Sequence, residues 1–427
     1  MLSLNQSLEQ IKSDLAAAVP AERIRQLCQE LAITGRDRLL TPVVTTYLTL
    51  LRALHAAPMS ALRRHSGIAV SPQAYCQAIA RLPVAFFARL QQAVIDDCHS
   101  ALPGRSRHLW HGRRLFLIDG SSFSMPDTPA LQAAFGQSGQ QAPGCGFPTA
   151  HLLIQFAAAT GFAVKTIVAP LRTHDMAHAA ATHDALRPGD ILMGDRAFGS
   201  FAHLALLRQR GLQGVFRAHQ FRAVHRQRGP RERFVVYDKP KQKPRWMADA
   251  DYATLPNSIL VREVRVTLRE PGLRVRTLIL VTTLLDAVTF PAAMIAAMFG
   301  VRWSAEVNLR HLKHTLGLDV LRSQSVDGVT KELHAFVIIY NLVRRVMCTA
   351  ARQQRVKPER ISFVDALRWL RQAPPGAAVP ELLVNPHRPG RHQPRVKKRR
   401  PKPYDLMNRP RAELRRQLQI NRDPSLT

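Results

Sequence analysis

Three carboxylates stand out in a chain otherwise poor in acid: Asp119 in "LFLIDGSSF", Asp195 in "ILMGDRAFGSF" and Glu306 in "RWSAEVNLRHLKH". The first two each close an apolar, strand-like run. Beyond the carboxyl ends of strands is where α/β sheets gather ligands and catalytic groups. Gly120 and Gly194 leave the backbone beside each acid unencumbered. Singly, an aspartate after a strand serves equally well as a turn former or helix N-cap. Glu306 is a lone acid among Arg302, Arg310, Lys313 and Arg322, with His311 and His314 between them. On a helix of about 100° per residue, Arg302 to Glu306 is about 400° and Glu306 to Lys313 about 700°. All three therefore share one face, with Arg310 beside them. Exposed i,i+4 ion pairs would account for Arg302, Glu306 and Arg310, but not for two strand-terminal aspartates. Three converging carboxylates would make a hard-oxygen site for two Mg²⁺ ions, and the flanking cations would hold phosphates.

Two other groupings are weaker. His174 and His178 in "THDMAHAAATHD" have the i,i+4 spacing that zinc can use, but lack a glutamate between them and an obvious third ligand. Ser121 and Ser122 follow Asp119 without the G-x-S-x-G turn of a hydrolase nucleophile.

The bulk composition fits phosphate chemistry. The 427 residues hold 61 Lys+Arg against 30 Asp+Glu, a formal charge of +31. Such a balance reads as a polyanion binder with nucleic acid as the default partner; ribosome-like structural binding, a membrane surface and a general basic bias are the alternatives. A hydrophobic content of 46% excludes a disordered chain. The N-terminus has helical spacing and no signal-peptide core, and the run "HAFVIIYNLV" is about half of a membrane span. Five scattered cysteines without a CxxC pair read as reduced, buried thiols of a cytoplasmic protein.

The elements that must position these residues fall into five segments. Residues 1–105 have helical periodicity, and "MSALRRHSGIAVSPQAYCQAIARL" reads either as a DNA-binding helix-turn-helix or as an ordinary helical hairpin. Residues 106–220 read β-β-β-α-β-α-β, an α/β layer with a mixed sheet. Residues 221–288 form a β-rich insertion, and residues 289–372, carrying Glu306, return to helix. Residues 373–427 are a Pro-rich basic tail, expected to be flexible, in which "RPGRHQPRVKKRRPKP" contains no acid.

The spacing Phe299-x2-Arg302-x3-Glu306-x6-Lys313 resembles the Tyr-x2-Arg-x3-Glu-x6-Lys signature of insertion-sequence-4-type transposases, the group that includes the Tn-five transposase. "DGSSF", "GDRAF" and "LGLDVLRSQS" resemble that family's other blocks, in order, from about residue 20 to 370. The resemblance implies a ribonuclease H-like catalytic core with a β-rich insertion between the second Asp and the Glu. It implies that Asp119, Asp195 and Glu306 are the catalytic, metal-binding DDE triad, holding two Mg²⁺ with Mn²⁺ able to substitute. It makes Arg302, Lys313 and the Phe299 position DNA phosphate contacts. Phe299 departs from the family's Tyr: the ring can pack, but no hydroxyl is there to bond a phosphate. The implied partners are the inverted-repeat ends of the element and target DNA, with a homodimer in the synaptic complex, no membrane, and a place in the cytoplasm on the bacterial nucleoid. A host nuclease or resolvase on the same fold, or a decayed or domesticated DNA-binding copy, are the alternatives.

Overall fold

A computed structural model describes residues 18–34, 39–100, 109–139, 141–171, 173, 175–219, 231–268, 276–374, 377–386 and 407–422. The N-terminal region is helical, as its periodicity predicts: α1 (Ala21–Glu30), α2 (Pro42–His55), α3 (Leu62–Ser66), α4 (Pro72–Ala80) and α5 (Val84–Ser100). The side chains of Thr41 and Ser71 accept hydrogen bonds from the amides of Val44 and Ala74, each just ahead of a proline at the first helical position. This pairing fixes where α2 and α4 begin. Gly67, at φ 68°, ends α3 and turns the chain toward α4.

Next come β1 (Leu115–Ser124), α6 (Pro129–Phe135), β2 (Thr149–Ala157), β3 (Ala163–Pro170), α7 (Asp175–Ala179), β4 (Ile191–Gly194), α8 (Phe201–Gln209) and β5 (Gln213–Arg217). The sequence order was read correctly except for α6, whose seven residues are too short for a clear period. Then follow β6 (Glu232–Asp238), α9 (Asp249–Thr254), β7 (Ser258–Leu268) and β8 (Arg276–Thr282). All eight strands form one sheet in the order β3-β2-β1-β4-β5-β8-β7-β6. β1, β4 and β5 run parallel, and every other pairing is antiparallel. The strand-rich segment after β5 is thus continuous with the central sheet, because β8 pairs with β5 from Val215 to Arg217.

Helices α10 (Ala292–Gly300), α11 (Trp303–Arg310), α12 (Val326–Gln353) and α13 (Phe363–Gln372) follow, with a π turn at His311–Thr315. α12 is the core helix. Its 28 residues would also suit a bilayer by length and composition, yet 83% of its most apolar window is buried inside the protein. Three of its polar side chains grip the β2–β3 turn. Tyr340 donates to the Gly161 carbonyl at 2.8 Å, Asn341 pairs with both the amide and the carbonyl of Ala163, and Arg344 donates twice to the Thr160 carbonyl at 2.9 and 2.6 Å. On its other side α12 holds the N-terminal helices. Arg52 of α2 pairs with Glu332 at 3.3 Å, and Lys331 donates to the Ile79 carbonyl of α4 at 3.1 Å.

Two expectations need correction. The segment from 373 onward is partly ordered: Leu383 accepts a hydrogen bond from the Ser362 amide at 2.8 Å, and Arg411–Arg422 form a last helix, α14. The basic run 388–403 lies outside the described residues. Of the cysteines, four are buried but Cys76 is exposed, since α4 turns that side outward.

Gly161 sits at φ 72°, and a Cβ there would overlap the Arg344 guanidinium. Gly161→Ala is therefore expected to destabilise the fold by about 2–4 kcal/mol, from left-handed backbone strain plus disruption of a buried, hydrogen-bonded cation. Urea unfolding measures this; a loss below about 1 kcal/mol would show that α12 does not depend on that grip.

Candidate active site

The first link in the site is strand register. β1 and β4 run parallel with Leu115 opposite Ile191 and Leu117 opposite Met193. Two residues further on each chain stand Asp119 and Asp195, so the two carboxylates leave neighbouring strands at the same level and, by the period of two, on the same side. Asp119 does not end its strand, however. β1 continues to Ser124 by pairing with β2, where Asp119 faces Ile154. What ends there is the parallel pairing with β4, which turns away at Asp195 into the Arg196–Phe198 turn. Gly194 permits this approach, since a Cβ would lie 2.8 Å from both Ile118 and Phe198.

Glu306 arrives from α11, which packs against β1. Its carboxylate accepts from Arg302 at 3.1 Å and is partly exposed. The Arg302 guanidinium lies 5.8 Å from the centre of the buried Phe299 ring and 5.4 Å from that of Trp303. These two rings fix Arg302 in place, and Trp303 was not singled out by sequence because its helix context gave no signal for it. Lys313 reaches β1 differently from the helical-face expectation. It lies in the π turn, where a count of 100° per residue no longer holds, and donates to the Ser121 hydroxyl at 2.9 Å. Ser121 shares the strand face of Asp119. The segment after the π turn is tied to the end of β1: the Ser124 amide donates to Asp319, and the Leu321 amide donates to Ser124, each at 3.0 Å. Arg310 is exposed at the end of α11, and its charge acts on His311 rather than on Asp119.

Asp119 is where the neighbouring charges act. Burial pushes the Asp119 carboxyl up to about 6; the Gly120 amide and Arg302 pull against that, while Glu306 and Asp195 add to it. Behind Asp195 lies a support that the sequence did not reveal. His203, on α8, donates from Nδ1 to the Phe198 carbonyl at 2.8 Å, and its Nε2 lies 2.9 Å from Nε2 of His183. A carbonyl can only accept, so His203 Nε2 is the acceptor and His183 the donor. Burial keeps both rings neutral, with His203 pushed down to about 4. Of the other groupings, His178 is only half-buried and His174 lies outside the described residues.

Three carboxylates are the donor type that hard divalent cations take. Among the described residues, no three His, Cys, Asp or Glu side chains are gathered tightly enough to hold one ion, Glu306 being drawn toward Arg302. The donor chemistry fits Mg²⁺, while the Glu306 carboxylate is engaged by Arg302.

Residues 110–342, more than half of the chain, match the family model described as the transposase DDE domain. The chain belongs to the DDE transposases, in the insertion-sequence-4 group. Transposase InsG for insertion sequence element IS4 of Escherichia coli (strain K12) is 25% identical over 363 residues, covering 78% of each chain. Among solved structures, the piggyBac transposase in a synaptic complex with hairpin DNA aligns over 88% of this chain and 80% of that one. At 10% identity and a TM-score of 0.45, that likeness is too remote to argue from. The matched segment contains Asp119, Asp195, Glu306, Arg302 and Lys313, so the geometry above lies wholly within the transposase domain.

Asp119 gives this transposase a pH signature. Its folded value of about 6 lies above the ordinary 3.8, so the folded state holds a proton that the unfolded state releases. Stability must then fall as pH rises from about 4 to about 6. Asp119→Asn keeps the acceptor for the Gly120 amide and removes the charge. In EDTA the variant is expected to be more stable by roughly 2–3 kcal/mol above pH 6, and equal to the parent near pH 4. Urea melts across that range check this; equal stability at pH 8 would contradict it.

Proposed function

We propose that this transposase acts through Asp119, Asp195 and Glu306 as one divalent-metal site, on a ribonuclease H-like core, to cleave and join DNA at the ends of its own element. The observation that carries the reading is the common level of Asp119 and Asp195 on parallel strands with Glu306 packed over β1, each felt electrostatically at Asp119. The strand order β3-β2-β1-β4-β5, with only β1, β4 and β5 parallel, supports the core assignment.

When bound, Mg²⁺ supplies Lewis acidity at the phosphodiester and makes a water nucleophilic near neutral pH. The chain supplies the rest. The three carboxylates are the oxygen ligands, and their mutual repulsion favours a cation between them. Arg302, held by Phe299 and Trp303, and Lys313, held by Ser121, stand beside that cluster as the phosphate contacts. For Glu306 to serve as a metal ligand its bond to Arg302 would have to be released, which would leave Arg302 free for phosphate. Hydrolysis at an element end frees a 3′-hydroxyl, which attacks target DNA in a second, direct displacement, so no protein nucleophile takes part. Two copies in a synaptic assembly would bring two inverted-repeat ends together. Residues 1–105 serve as the end-binding part; in support, α4 presents Gln73 and Gln77 outward, and Lys331 pins its last turn to α12. Amide side chains of this type read adenine edges in the major groove.

DNA flanking the coding region, labelled and incubated with Mg²⁺, tests the assignment. Asp195→Asn and Glu306→Gln are each expected to reduce cleavage by at least about a thousandfold while leaving DNA affinity within a fewfold. Cleavage at the parent rate in either variant would remove that residue from the site. Lys313→Ala is expected to weaken end binding or joining by roughly tenfold or more, the scale of one charge-assisted phosphate contact. Unchanged binding and joining would reject its phosphate role.

A further inference from the structure

The last described segment, 407–422, is fastened to the body of the protein at a single point. The Arg411 guanidinium donates to the Gly146 carbonyl at 2.9 Å, pairs with Asp127 at 3.5 Å and covers the Phe147 ring at 3.8 Å. Only 14% of the Arg411 side chain and 16% of the Asp127 side chain remain exposed. The Arg411 amide donates to the Gly144 carbonyl at 3.2 Å, and Pro410 lies against Gly144. Gly144 is needed there on two grounds: φ is 74°, and a Cβ would come within 3.1 Å of Pro410. Such a socket is more than a long cationic side chain resting on a surface.

The socket is built on the two connections that flank α6: Asp127 lies just past the end of β1, and Gly144 to Phe147 lead into β2, whose first residue, Thr149, pairs with Ser124. Ser124 is five residues past Asp119 along β1, about 17 Å at strand rise. The arm therefore leaves the body beyond the same sheet end that carries Asp119 and Asp195. Arg409, Arg415 and Arg416 are exposed, and residues 407–422 contain five arginines against one acid, Glu413. Leu418 is also exposed, but three exposed arginines precede it in sequence, and a segment of this net charge is suited to a polyanion.

We propose that residues 407–422 form a DNA-contacting arm, pinned by Arg411 just past the end of β1, which grips phosphates of the duplex entering or leaving the active site. The proposal rests on the reading of the protein as one that acts on DNA at the Asp119–Asp195–Glu306 site. A duplex seated on that site reaches the arm within one helical turn, roughly 34 Å. The contact is to backbone charge and carries no base preference.

The test measures binding of the full-length protein to a labelled duplex of arbitrary sequence by fluorescence anisotropy over a range of salt. A variant carrying Arg409→Gln, Arg415→Gln and Arg416→Gln removes the outward charges and leaves the socket alone. Its slope of log K against log salt is expected to be shallower by about 2–3, with affinity lowered roughly tenfold or more. Arg411→Ala removes only one charge but frees the arm, and is expected to lose more than the ~0.9 of slope that one phosphate contact carries. Parent-like slopes in both variants would overturn the proposal while leaving the DNA reading intact. A parent protein without salt-dependent duplex binding would overturn both. Sedimentation provides a further check: a triple variant that dissociates from dimer to monomer at unchanged slope would show that the arm grips a second copy, which also overturns it.

Discussion

Everything at the candidate site depends on how closely β4 can lie beside β1. The two strands share only a short parallel ladder, from Leu115–Ile191 to Leu117–Met193, and both are buried there. Parallel strands pair at a fixed spacing, so once the register is set the next outward residue on each must stand beside the other. Gly194 is the condition for this, since any side chain would strike Ile118 and Phe198. The charge that results is costly to a protein with few acids, and burial at Asp119 makes it more so. Arg302 offsets part of that cost.

Much of this was legible in the sequence because it rests on short-range rules. The strand run closing on Asp195, the Ser71–Pro72 helix start and the Thr160–Gly161 turn each follow from local preference, and the structure has them within a few residues. The Arg302–Glu306 pair followed from helical arithmetic. What was not legible depends on partners distant in sequence. The extension of β1 to Ser124 comes from β2 and from the backbone bonds to Asp319 and Leu321. The π turn that carries Lys313 has no marker in "HLKHT". The His183–His203 support is hidden in two unrelated helical stretches, and neither ring has a neighbour in sequence that would mark it. The last helix was masked by composition, because a basic, proline-flanked segment reads as tail unless its socket is known.

The π turn also explains how a helix can serve two masters. α11 must place Glu306 over β1, while the chain leaving it must lie down beside Ser124. The wider turn at His311–Thr315 lets Lys313 meet Ser121 while His311 stacks on Phe363 at 4.3 Å, locking the turn against α13. Such wide turns within helices are frequent at functional positions.

Glu332 has a consequence of a different sort. Its carboxylate accepts from Arg52 of α2 and from the amides of Arg322 and Ser323, just past the strand bridge to β1. Neighbouring Lys331 holds the end of α4. One turn of α12 thus fastens the N-terminal helices and the segment that follows Lys313 at the same point. The region expected to recognise DNA ends is not a detachable module that evolution could exchange freely between relatives. The buried underside of α4 is committed to this joint, and only its exposed face is free to vary without disturbing the core. An exchange of the N-terminal helices of this chain would have to preserve Arg52, Lys331 and Glu332 together.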